Sequence, residues 1–255
     1  MPFFPEDTFR DFVRQYKEQT KLDGEWEFYV KNLDFTVYRR PAHDRNPNLF
    51  EYRSFGGWTD IKSDTLAHVY LDLEFRKKWD KNMQSHQYFM VEDEQQEKNS
   101  HTGNHFEIKY PWPLSNRDYA YTIERKIVKE SDGKQYQVIL GESLPSTSFP
   151  ERKGVIRIDT YMQNICITTG EDGKGCSVFM DYFDDPKASI LYIIYINDIN
   201  FHDKQGNIPK SVINWAAKTG VPAFISNLKA ACQQYEKEHP NGVPLPLDNS
   251  DVIHF

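Results

Sequence analysis

NIPKSVINWAAKTGVPAFISNLKAACQQY, residues 207–235, is the stretch on which the fold turns. Apolar residues recur at helical spacing in both halves: Ile208, Val212 and Trp215, then Phe224, Leu228, Ala231, Cys232 and Tyr235. One face of a long amphipathic helix is thus marked for burial. Pro209 suits a first helical turn, whereas Pro222, just behind Gly220, should kink or break the helix near Thr219. From Ile208 to Tyr235 there is no Asp or Glu, while Lys210, Lys218 and Lys229 are present. The segment is basic in an acidic chain, whose 31 Lys and Arg against 38 Asp and Glu give a net charge of −7.

What precedes this helix is mostly extended. Pro5–Gln19 reads as a first helix with Phe9, Phe12, Val13 and Tyr16 on one face. Glu25–Lys31, Phe35–Arg39 and Phe50–Trp58 alternate like strands. Thr59–Leu73 has helical spacing at Leu66, Val69, Tyr70 and Leu73, with Ser63 or Asp64 as its cap. The charged run EFRKKWDKN follows. Strands are then predicted at Gln84–Glu92, His105–Tyr110, Tyr119–Val128, Gln135–Gly141, Val155–Thr168 and Cys176–Phe183, separated by turn signals such as Ser131-Asp132-Gly133. Helix, strands, helix, more strands and a closing helix is not the alternation of a parallel doubly wound fold. It predicts an α+β domain, a curved antiparallel sheet with helices on one side. One domain over residues 1–238 is expected, with a flexible tail at 239–255.

Several function classes fall away. The acidic balance argues against nucleic acid as a partner. Cys166, Cys176 and Cys232 form no CxxC pair, so neither a structural zinc nor a disulfide framework is expected, only reduced thiols. The N-terminus lacks the basic and apolar regions of a secretory signal, and no apolar run approaches the roughly 20 residues of a membrane span. A soluble, cytoplasmic protein is the expectation. There is no HExxH and no G-x-S-x-G, and Gly170–Gly175 lacks both the glycine spacing and the Ser or Thr of a phosphate loop, so it reads as a strand-joining turn. Asp184-Asp185-Pro186 reads as a turn before proline. Without a catalytic constellation the chain is not expected to be an enzyme, nor to need a cofactor or a metal.

Five motifs, in order, carry a specific resemblance: VYLDLEFRKKWD (69–80), FEIKYPWPLSNRDYAY (106–121), GVIRIDTYMQN (154–164), VFMDYFDDP (178–186) and INWAAKTGVPAF (213–224). Together the chain from about Pro5 to Glu236 resembles the START lipid-transfer domains, in particular their phosphatidylcholine-binding members. The resemblance implies a helix-grip fold, in which the sheet wraps the C-terminal helix and the two enclose a tunnel for one glycerophospholipid. It implies that Arg76 meets the lipid phosphate, that Phe106, Tyr119 and Tyr161 cage the choline, and that Tyr70 and Gln163 add further head-group contacts. Arg117 and Asp118 are expected to pair with each other.

This division of labour suits the chemistry. A zwitterion taken into an apolar tunnel needs both charges met, or desolvation costs several kcal/mol per ion. A guanidinium gives planar, charge-assisted bonds to phosphate. A quaternary ammonium has no N–H to donate, so ring faces receive it, at roughly 0.5–2 kcal/mol per contact.

The implied function is transfer of phosphatidylcholine between membranes, with lipid sensing through a protein partner as the alternative. A monomer that meets a membrane surface transiently is expected. Its gate would be the last helix, through Lys210, Trp215, Lys218, Gly220, Pro222 and Phe224.

Two departures from the family pattern stand out. Phe106 occupies the place of a cage tryptophan and is the weaker cation–π partner, which opens the site to phosphatidylethanolamine. Lys187–Gln205 (KASILYIIYINDINFHDKQ) intervenes where the family runs almost directly into its last helix. Ile, Tyr, Asn and Phe dominate it, residues with AT-rich codons, which suggests an intron read through in frame; the other reading is an apolar flap beside the tunnel. In either case ILYIIYI is a β-prone aggregation hazard.

Overall fold

The computed structural model describes residues 3–18, 22, 25–31, 34–92, 100–110, 112, 114–170, 173–187, 221–243 and 252–254. Its elements run α1 (Glu6–Lys17), β1 (Glu27–Lys31), β2 (Phe35–Ala42), β3 (Asn46–Trp58), α2 (Ser63–Leu71) and α3 (Leu73–Trp79). Then come β4 (Met83–Glu92), β5 (Ser100–Ile108), β6 (Asn116–Lys129), β7 (Gln135–Ser143), β8 (Val155–Ile158), β9 (Tyr161–Thr169), β10 (Cys176–Asp184), α4 (Val221–Glu238) and β11 (Val252–His254). The strands make one curved sheet in the order β1-β2-β3-β10-β9-β7-β6-β5-β4. This path is antiparallel throughout. β6 is long enough to have two sets of neighbours. Its first half lies between β5 and the short parallel strand β8, its second half between β7 and the parallel β11.

Alternation along the strands sorts side chains onto two buried faces. One face carries Ile139, Ile165, Ile167, Cys176 and Val178, covered by Leu66 and Val69 of α2 and by Leu228, Ala231, Cys232 and Tyr235 of α4. The other carries Tyr136, Val138, Leu140, Cys166 and Phe179, covered by Phe9, Phe12, Val13 and Tyr16 of α1. The Phe12 ring stacks on Phe179 at 5.0 Å and Phe179 on Phe55 at 5.3 Å. Each such aromatic or aliphatic side chain, fully buried, contributes roughly 1.5–3 kcal/mol. The helices therefore lie on both sides of the sheet, not on one as expected. A strand such as β7 is apolar at successive positions because both of its faces are covered.

Other expectations shift locally. The charged run after α2 is itself helical. α2 ends at Leu71, and the Asp72 carboxylate accepts the Phe75 N–H at 2.9 Å to start α3, with Leu73 buried. Neither Ser63 nor Asp64 caps α2, whose N-cap is Lys62 without a side-chain bond; Asp64 instead accepts from Gln137 Nε2 at 2.5 Å. The strand expected across Val155–Thr168 divides, because β8 pairs with β6 and β9 with β7. The Ser143 hydroxyl clips that step, donating to Asp159 O at 3.0 Å and accepting from Tyr161 N at 3.2 Å.

Within the segment expected to be a flexible tail, Val252–His254 form β11. Ile253 is buried under α1, and Arg10 donates to the His254 carbonyl at 3.2 Å. Gly173 N–H closes a turn on Gly170 O. Gly175 takes a φ of +63°, and a Cβ there would meet Trp58 O at 2.1 Å. The glycine cluster is thus a hairpin turn. All three cysteines are free and buried. Among the described residues no helix is long and apolar enough to cross a membrane.

Candidate functional site

On the face that carries α4, the strands bring their polar and aromatic residues to one end. Alternation from Ile165 through Gln163 to Tyr161, and from Val178 through Met180 and Tyr182 to Asp184, keeps all of them on that face. Phe106 and Tyr119 are register partners between β5 and β6, and Tyr161 and Asp184 between β9 and β10. α2 supplies Tyr70 to this end and α3 supplies Arg76.

Arg76 is the cation of the cluster. Its Nε donates to Asp80 Oδ2 at 3.0 Å, one helical turn away, and Asp80 Oδ1 accepts the Asn82 N–H at 3.1 Å. The guanidinium carbon lies 5.3 Å from the centre of the Phe106 ring and 5.1 Å from that of Phe224 in α4. Burial opposes its charge, but Tyr70, Asp80 and Tyr121 outweigh that and raise its pKa above the ordinary value. Among the described residues its terminal Nη atoms have no hydrogen-bond partner. A cation fixed by one nitrogen, with its fork left open, is suited to receive an oxyanion.

Around it stands a ring cluster. Phe106 stacks on Tyr119 with centroids 4.8 Å apart, and Tyr121 meets Phe106 edge-on at 5.4 Å. Tyr161 contacts Tyr119 at 5.3 Å, Tyr121 at 5.5 Å and Tyr182 at 5.9 Å, each edge to face. The Tyr161 hydroxyl donates to Gln163 Oε1, and Gln163 Nε2 reaches Met180 Sδ at 3.4 Å. Gln163 also bonds the phenol of Tyr70, which burial pushes up to about 12. Burial likewise raises the phenols of Tyr119, Tyr161 and Tyr182 well above the usual tyrosine range. All these phenols stay neutral donors. The structure thus brings together Tyr70, Arg76, Phe106, Tyr119, Tyr161 and Gln163, the six residues named from the sequence.

Sequence reasoning passed over three members, Tyr121, Tyr182 and Asp184. Tyr121 lies two positions along β6 from Tyr119, so strand alternation could have found it, and Tyr182 is the register partner of Gln163. Asp184 was taken for a turn before Pro186, but it closes β10. Its Oδ2 accepts the Tyr119 hydroxyl at 2.8 Å, and Tyr182 donates to the same carboxylate. Burial raises its pKa above the usual carboxylate value against those two bonds.

Arg117 and Asp118 do not pair with each other. Neighbours on a strand point to opposite faces, so the two side chains diverge. Asp118 joins the α1 side, where Arg157 donates to both its oxygens at 3.0 Å and His105 Nε2 lies 3.0 Å from Oδ2. Arg117 lies over the Tyr110 ring at 4.4 Å and donates to Ser115 O and Pro186 O. Of the gate residues, Pro222 and Phe224 lie within the described part of α4. Phe224 packs on Trp79 at 5.6 Å and against Arg76. Lys210, Trp215, Lys218 and Gly220 lie outside the described residues, as does the inserted segment beyond Lys187.

This arrangement matches known proteins over nearly the whole chain. The family model for the START domain matches residues 10–238. The chain is 37% identical over 235 residues to a protein named phosphatidylcholine transfer protein from Bos taurus, covering 92% of this chain and 96% of that one. The protein of that name from Rattus norvegicus is 35% identical over 236 residues, with the same coverage. Among solved structures, human STARD10 superposes with a TM-score of 0.62 at 21% identity, covering 98% of this chain and 94% of its own. Human StAR-related lipid transfer protein 5 superposes with a TM-score of 0.59 at 14% identity, covering 90% and 97%. With its strand order, its closing helix and the buried cluster between them accounted for, the chain belongs to the START domain family.

Proposed function

We propose that this protein is a phospholipid carrier that takes up one phosphatidylcholine molecule and moves it between membranes. The observation that carries this reading is the convergence of Arg76 with Phe106, Tyr119 and Tyr161 at one end of the α4 face. A guanidinium beside a set of ring faces answers a phosphodiester beside a quaternary ammonium, and little other chemistry asks for both at such close range. The names of the relatives at 35–37% identity agree with this.

Selectivity in such a site must come from the head group. Acyl chains leaving a bilayer for an equally apolar interior gain almost nothing per methylene, although the same chains in water would cost about 0.8 kcal/mol each. The protein's contribution is then kinetic, sparing the chains a passage through water. Tyr70 and Gln163 supply a neutral donor and an amide for the polar atoms next to the phosphate. Entry requires α4 to move, and the Arg76–Phe224 contact joins the head-group site to that helix. The basic segment from Lys210 to Lys229 suits contact with an anionic leaflet from the cytoplasmic side.

Native mass spectrometry of the purified protein tests the reading. One bound phospholipid, enriched in phosphatidylcholine over the host's lipid pool, is the expected result. Protein that stays empty after incubation with phosphatidylcholine vesicles would overturn it.

A further inference from the structure

Most carboxylates that are buried or nearly so among the described residues sit beside a basic group. Asp80 has Arg76, Asp118 has Arg157 and His105, Asp181 has Arg53, and Glu107 has Arg152. Asp184 differs. Its hydrogen bonds come from two neutral phenols, Tyr119 and Tyr182. The cation that stands near enough to act on it, Arg117, directs its own N–H groups to Ser115 O and Pro186 O, and Asp185 adds a second negative charge close by. A carboxylate costs several kcal/mol to bury without a counter-ion. Among the described residues Asp184 forms no ion pair that offsets this cost.

We propose that Asp184 is the charge-selecting residue of the site: a carboxylate held by Tyr119 and Tyr182 behind the ring cluster, which admits head groups that end in a cationic nitrogen and disfavours those that end in a neutral group. The proposal rests on the phospholipid reading above and deepens it. Geometry supports it in three ways. Asp184 lies on the same face as Tyr161 and Tyr182, and its phenol partner Tyr119 is itself stacked on Phe106. A carboxylate has about four acceptor positions, of which the phenols occupy two, so acceptor capacity is left facing the cluster. By donating its proton toward Asp184, Tyr119 also gains electron density on its ring, which strengthens the face offered to a cation. Phe106 and the neutral rings attract a quaternary ammonium through the quadrupole of their faces, and Asp184 adds the full charge that they lack.

The test is transfer of pyrene-labelled phosphatidylcholine and of pyrene-labelled phosphatidylglycerol, each at trace level in vesicles of one bulk composition, by wild type and by Asp184→Asn. The wild type should favour phosphatidylcholine, and the variant should lose at least about tenfold of that preference, about 1.4 kcal/mol. Its melting temperature should equal or exceed that of wild type, a result that a purely structural carboxylate would not give. An unchanged preference in a folded Asp184→Asn overturns the proposal. If that variant does not fold, Tyr119→Phe/Tyr182→Phe keeps both rings and strips the carboxylate of its donors; the same fall supports the proposal and an unchanged preference overturns it. Wild-type protein that transfers neither lipid overturns the phospholipid reading itself, and the proposal with it.

Discussion

Replacing Arg76 by alanine separates what this side chain does for the fold from what it does for a ligand. In the structure it holds Asp80 Oδ2 at 3.0 Å and covers the rings of Phe106 and Phe224. Alanine removes one bond between charged groups, worth about 1.5–3 kcal/mol, and two cation–π contacts of about 0.5–1 kcal/mol each. Asp80 keeps the Asn82 amide, so its carboxylate is not wholly abandoned. The loss of about 2.5–5 kcal/mol is less than the stability of most domains and should lower the melting temperature by about 5–20 °C.

The effect on phosphatidylcholine transfer should be of comparable free energy. A phosphate about 4 Å from the guanidinium gains about 4 kcal/mol at an effective dielectric constant of about 20, so its loss should slow transfer by roughly 10²–10³-fold. The assay is transfer of pyrene-labelled phosphatidylcholine between vesicles, run well below the variant's own melting temperature. Arg76→Ala/Asp80→Asn serves as the companion in which no charge is stranded. A folded Arg76→Ala that transfers within about threefold of wild type, under 1 kcal/mol, would refute the placement of the phosphate.

Phe106→Trp should raise the preference for phosphatidylcholine over phosphatidylethanolamine by roughly two- to fivefold, since indole is the stronger cation–π face; a preference that falls argues against Phe106 as a cage wall. Burial raises the Asp184 pKa in the folded chain, so this group favours folding below the usual carboxylate value and loses that contribution as pH rises through its folded value. Asp184→Asn should accordingly melt higher than wild type at neutral pH, with the gain shrinking toward about pH 4, which thermal melts across pH would record. Arg157→Ala leaves Asp118 buried beside His105 alone and should cost about 3–5 kcal/mol, read from urea unfolding, without changing head-group preference in the protein that remains folded. Removing residues 187–205 should leave the melting temperature unchanged and reduce aggregation, and sequencing the mature transcript decides the origin of this segment: codons for it in most messages would refute the retained intron.

Much of the site was legible because its residues sit in dense local motifs. EFRKKWD carries Arg76, SNRDYAY carries Tyr119, and DTYMQN carries Tyr161 and Gln163, so the resemblance located them together. The α1 face was equally readable, since Phe9, Phe12, Val13 and Tyr16 repeat at helical spacing and are the buried residues of that helix. The helical nature of EFRKKWDKN was hidden by its charges, which mask the i, i+4 pair Phe75 and Trp79 and a cap at Asp72. Strand alternation alone would have shown that Arg117 and Asp118 cannot meet, whatever their charges suggest.

The sequence by itself determined α1, α2, most of the strands, their order, and the chemical inventory of cations and rings, because these follow from spacing and residue type along a few neighbouring positions. Only the tertiary structure decided which charge faces which ring. That depends on register across strands distant in the chain: Tyr119 of β6 reaches Asp184 of β10, and Arg76 of α3 lies between Phe106 of β5 and Phe224 of α4. The same holds for Ile253, whose place beside β6 and under α1 no periodicity of a short C-terminal segment could announce. Local pattern chooses a residue's face. Long-range pairing chooses its partner, and in this protein the partner turns an apparent turn aspartate into part of the site.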